Sequence, residues 1–122
     1  MKTKQYYVGA KKSIELLCDD GDSSSAEQFL DSLQAKDRRK VDTLFELMCE
    51  KGSISNKERF KKLEGSDGVF EFKSFQIRLL CFFTPDNRII VCRGLMKKKD
   101  KHDKGDISSS EECRRKFIGE LP

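Results

Sequence analysis

Lys73 and Arg78 stand on neighbouring strand-like segments of this 122-residue chain, Val69 to Ser74 and Gln76 to Phe83. Their types and spacing suit chemistry on a phosphate. Period-two alternation puts Glu71 and Lys73 on one face of the first segment, with Phe70 and Phe72 on the other. On the second segment Gln76 and Arg78 share a face, opposite Ile77, Leu79, Cys81 and Phe83. With helices over the apolar side, Lys73 and Arg78 are left near each other on an open face. Arginine offers a rigid donor fork that matches phosphate oxygens. A lysine among other cations has its charged form destabilised and can act as a base. Such a pair could serve attack of a 2′-hydroxyl on phosphorus, where the phosphorane carries more negative charge than the substrate. His102 is a further candidate acid or base. The bland alternatives stay open: a solvated sheet face with cross-strand pairing of Glu71 and Arg78, and a solvated loop histidine.

Local signals predict the elements that must position these residues. Met1 to Lys12 carries Tyr6, Tyr7 and Val8, and reads as an extra strand or a loose N-terminal extension. Ser13 to Cys18 reads as a first core strand, ended by the turn-rich DDGDSSS. Ser24 precedes Glu27 by three residues, a capping-box spacing that opens a helix through Leu33 with Phe29, Leu30 and Leu33 inward. Val41, Leu44, Phe45 and Met48 recur at helical intervals and predict a second helix over Lys36 to Lys51, stopped by Gly52. The short link between the two predicts an antiparallel helical hairpin. Asn56 to Leu63 reads as a short helical turn. Thr84-Pro85-Asp86-Asn87 is a turn that joins Gln76–Phe83 to a last strand, Arg88 to Met96. Ile107 to Ile118 predicts a short closing helix. The fold class is α+β in a single domain over residues 1–122: an N-terminal strand, a two-helix antiparallel hairpin packed on a twisted antiparallel sheet, and a short C-terminal helix.

Charge narrows the partner. The chain carries +4 overall, yet between residues 58 and 104 twelve cations face seven anions, so the rest of the chain is slightly acidic. This asymmetry favours an anionic partner for one face. Arg93 interrupts an apolar strand, and the run Lys97-Lys98-Lys99 follows it. Five cysteines, odd in number and in no CxxC pair, together with one histidine, argue against a zinc site and fit a reduced cytoplasmic setting. No metal and no cofactor is expected. The longest apolar stretch is too short to span a bilayer, so no membrane partner is expected either. The chain has no GxSxG, no P-loop and no supported Cys–His pairing, which excludes the familiar nucleophile constellations.

Three stretches carry a resemblance: AEQFLDSLQAKDRRKV in the helical region, FKKLEGSDGVFEFK at the entry to the sheet, and IRLLCFFTPDNRIIVCRGLMKKK in the last hairpin and basic run. Over roughly Ser13 to Phe117 the chain resembles RelE/HigB-type toxins of type II toxin–antitoxin modules, in particular the phage-derived HigB-like branch. The resemblance implies a RelE/ParE-like fold and metal-independent, ribosome-dependent cleavage of mRNA. It also implies mRNA and the ribosome as partners, and a cognate helix-turn-helix antitoxin. Arg78 matches the family's phosphate-stabilising strand arginine, and Lys73 stands where the family carries Arg or Lys. Lys61, Lys62, Lys97 and Lys98 match flanking positions that hold RNA backbone, and Arg93 and Lys99 complete the basic set. Phe70 replaces the family's usual Trp, and His102 falls in a segment, KDKHDKGDIS, that departs from the family pattern.

A rival reading keeps the fold and drops the catalysis. It makes the chain a ParE-like inhibitor of DNA gyrase, or a phage-derived domain that has lost catalysis and only binds a partner. An RNA-binding adaptor is a third class, marked by steep salt dependence without cleavage.

Overall fold

The computed structural model describes residues 1–19, 21–98 and 104–122. Six strands and three helices follow in the order β1 (Thr3–Val8), β2 (Ser13–Leu17), α1 (Ser25–Ser32), α2 (Ala35–Lys51), β3 (Phe60–Lys62), β4 (Phe70–Ser74), β5 (Ile77–Phe83), β6 (Arg88–Met96) and α3 (Lys104–Gly119). The strands form one mixed sheet in the order β1-β2-β6-β5-β4-β3.

The expected sheet was antiparallel throughout, and here the structure differs. β2 lies parallel to β6, with Ser13 opposite Arg88 and Leu16 opposite Val91. A parallel pair needs a long crossover, and the helices supply it. Arg88 fastens the same junction, since its Nη1 donates to Glu15 at 3.1 Å and its Nε to Asp86 at 3.0 Å. Residues 1–12 resolve into the strand alternative: β1 pairs antiparallel with β2 at the sheet edge. The helical turn expected over Asn56 to Leu63 is instead a turn leading into edge strand β3, which pairs with β4 from Phe60 opposite Phe72 to Lys62 opposite Phe70. Phe60 is drawn into the strand by its partners: its ring stacks on Phe70 at 5.3 Å and meets Phe72 at 4.8 Å.

Helix ends follow the sequence signals. The Ser24 hydroxyl accepts the Glu27 amide at 3.2 Å, while the Glu27 carboxylate takes Lys4 of β1 at 2.9 Å. Gly52, at φ 91°, ends α2 and donates to the Met48 carbonyl at 2.8 Å. Both helices cover one sheet face. α1 lies chiefly over β6 and α2 chiefly over β4.

The face beneath α1 and α2 holds the larger core, with Leu30, Phe45, Met48, Ile14, Phe72, Leu79 and Val91 fully buried. The opposite face holds a second core of Leu17, Val69, Leu80, Phe82, Ile90 and Cys92 beneath Phe117 of α3. Burial on both faces explains why β5 and β6 read as continuous apolar runs rather than alternating ones. β6 serves both by alternation as far as Cys92, where a bulge resets the faces. Cys81 opposes Val91 while Leu80 opposes Arg93, so Cys92 is the extra residue and Arg93 turns to the α3 face. No helix among the described residues is long and apolar enough to cross a membrane.

Candidate functional site

Register brings four cations together. β4 and β5 set Lys73 opposite Arg78, and β3 and β4 set Lys61 opposite Glu71, all on the α3 side of the sheet. Glu71 is fully buried. Arg78 Nε lies 3.8 Å from its Oε2, and Lys61 Nζ lies 3.9 Å from its Oε1. A carboxylate is tolerated out of water only when cations or donors face it, so Glu71 holds this cluster in place. Arg78 also donates from Nη1 to the carbonyls of Phe75 at 2.5 Å and Ile77 at 2.9 Å. Its side chain is 12% exposed, so the guanidinium is fixed to its own hairpin turn as well as to Glu71.

Lys97 is the fourth member. Its backbone amide donates to the Gln76 carbonyl at 2.7 Å, extending the sheet past β6. Its ammonium sits below the usual lysine pKa. Burial is the largest cause, opposed by Glu71 and reinforced by Arg78, Lys61 and Lys73. Among the candidate cations Lys97 therefore has a proton that is easier to lose than usual.

Beside the cluster runs a groove of about 950 Å³. It is bounded by β3, the segment before it and the first turns of α3. Lys57, Lys61, Lys62, Lys97 and Lys104 line it with Glu64, and Phe60, Phe70, Leu63, Ile54 and Ile107 supply apolar surface. Cations around aromatic and aliphatic surface can hold a phosphate backbone and shelter a base.

The other candidates fall elsewhere. Arg93 pairs with Asp106 of α3 at 2.6 Å and so serves the docking of that helix. Lys98 is exposed just beyond β6. Lys99 and His102 lie outside the described residues. Two features escaped the sequence reading. Glu71 is the hub of the cluster rather than the partner of Arg78 alone, and Lys57 and Lys104 join the groove. The short apolar-flanked charge in VFEFK was the available signal for Glu71.

A cation cluster thus sits on a mixed α+β sheet beside a basic groove. Residues 28–115, from α1 into the second half of α3, match the model of a family described as phage derived protein Gp49-like (DUF891), and the chain belongs to this family of RelE-like toxins of toxin–antitoxin systems. The matched span holds Lys61, Glu71, Lys73, Arg78 and Lys97. Membership implies an antitoxin as partner. No curated protein matches the chain at a significant level.

Proposed function

We propose that the chain is the toxin of a type II module of the RelE/HigB kind, on a RelE/ParE-like arrangement. It cleaves mRNA on the translating ribosome without a metal ion. The observation that supports this most is the gathering of Lys61, Lys73, Arg78 and Lys97 about buried Glu71, at the lip of the basic groove. Lys97 accepts the proton of the 2′-hydroxyl as O2′ attacks phosphorus. Arg78 turns the edge of its fork not used on the hairpin carbonyls toward the phosphorane oxygens. The bond from phosphorus to O5′ breaks, leaving a 2′,3′-cyclic phosphate, and the Lys73 ammonium donates a proton to O5′. Lys61, Lys62 and Lys98 hold the flanking backbone. Inducible expression with mapping of mRNA 5′ ends tests this reading. Growth arrest with ribosome-dependent cuts, lost in Arg78→Lys, which keeps a cation beside Glu71 but removes the donor fork, is expected. Arrest with intact mRNA would overturn it.

One observation favours a second reading: the Arg78 guanidinium is mostly buried and bonded to Phe75 and Ile77. If that is its whole task, the chain is a non-enzymatic interaction protein, such as a ParE-like gyrase inhibitor. DNA supercoiling assays beside the mRNA mapping separate the two.

A further inference from the structure

Phe75 occupies the two-residue turn between β4 and β5 at φ 55°, in the left-handed region. Glycine, asparagine or aspartate ordinarily fills such a position, because a bulky side chain there is strained. The residue is also 75% exposed, so no burial offsets the strain. A large aromatic held outward at a backbone cost points to function rather than packing.

Its surroundings are cationic on both layers. Lys40 Nζ of α2 lies 4.3 Å from the ring centroid. Arg78 bonds the Phe75 carbonyl, Lys73 precedes the turn on β4, and the Lys97 amide bonds the Gln76 carbonyl. The turn whose carbonyl anchors Arg78 on the α3 side therefore carries an exposed ring that meets Lys40 on the α2 side, at the hairpin tip next to the candidate site.

We infer that Phe75 is a stacking platform for a nucleobase of the RNA strand whose phosphates lie on this cation cluster. The inference rests on the RNA reading of that site. An aromatic face takes any base with little sequence preference, and Lys40 beside the ring and Arg78 behind the turn hold the adjoining phosphates. A protein hot spot would call for a larger apolar patch around the ring, whereas the Lys40 ammonium lies over its face.

The chain has no tryptophan, so Phe75→Trp installs a single indole at the turn. With the full-length protein at low salt, a single-stranded oligoribonucleotide should quench its emission. Binding should stay near that of the parent in this variant. Phe75→Asn should weaken oligoribonucleotide binding about tenfold or more, yet raise the melting temperature, because asparagine accepts the left-handed turn. A merely structural phenylalanine would not move these two readouts in opposite directions. Unquenched indole emission with undiminished binding in Phe75→Asn overturns the inference, while loss of binding in Lys73→Ala and Lys97→Ala would leave the RNA reading standing. Oligoribonucleotide binding insensitive to all three substitutions overturns both. Loss of antitoxin binding alone in Phe75→Asn assigns the ring to a protein partner and also overturns the inference.

Discussion

Glu111 of α3 accepts the backbone amide of Asp67 at 2.7 Å, so a carboxylate near the end of the chain closes the turn between β3 and β4. The same side chain takes the Gly68 amide at 3.1 Å and Arg114 Nε at 2.6 Å. Burial alone would raise its pKa. The Arg114 bond and the two amides outweigh that and leave it below the usual glutamate value. Glu111→Ala should destabilise the fold by about 2–4 kcal/mol, since three donors lose a charged acceptor. The sign with pH follows from the lowered native value. The Glu111 contribution is complete above its unfolded pKa, near the ordinary 4.5, and is lost as pH falls through the native one. Urea unfolding from pH 7 to pH 3 should show the gap between parent and variant closing at the acid end.

Gly94 of β6 lies under the ring of Phe29 on α1. A Cβ placed there would stand 2.2 Å from Phe29 Cδ2. Gly94→Ala should therefore cost about 1–3 kcal/mol through overpacking. Adding Phe29→Leu should recover part of the loss, and a double-mutant cycle by denaturant unfolding measures the coupling.

If Lys97 is the base, cleavage should rise with pH and level off at a point below 10.5, the ordinary lysine value. Lys97→Arg keeps the charge and removes the accessible proton acceptor. Its single-turnover rate should drop at least tenfold and lose that inflection, while affinity for RNA holds. Pre-steady-state cleavage on stalled ribosomes, followed across pH, provides the check.

Burial pushes up the Cys113 thiol and, deeper in the fold, three others: Cys49 to about 11, Cys92 to about 12, and Cys81 well above its usual range. At pH 8 these three should resist iodoacetamide in the native protein and label readily once it is unfolded. Mass spectrometry of peptides from both states reads the outcome.

Much of the fold was legible because its signals are local. Ser24, Gly52 and the Thr84–Asn87 turn fixed ends through their own backbone chemistry, and Arg88–Met96 was bounded by a turn on one side and a lysine run on the other. The parallel alignment of β2 with β6 was not legible, since nothing in Ser13–Leu17 encodes which distant strand it meets. The face of Arg93 was also hidden, because the Cys92 bulge breaks the alternation on which strand parity depends. The open face expected for Lys73 and Arg78 is in part the seat of α3. The unbroken run Leu79 to Phe83 carried that information, since apolar residues at successive positions face both sides of a sheet. At the site, parity placed Lys73 and Arg78 together. The burial of Glu71 depends on three-dimensional packing that composition does not record.

The pairing of Ser13 with Arg88 carries a consequence for synthesis. β3 to β6 fold through short hairpin links, but β2 must wait for β6 before it acquires its inner neighbour, and β1 in turn has only β2 to pair with. Such long-range closure is slow and comes late. On the ribosome the N-terminal strands and both helices therefore emerge before their sheet exists. The finished surface, with its cations held in register, forms only once β6 and α3 have left the exit tunnel.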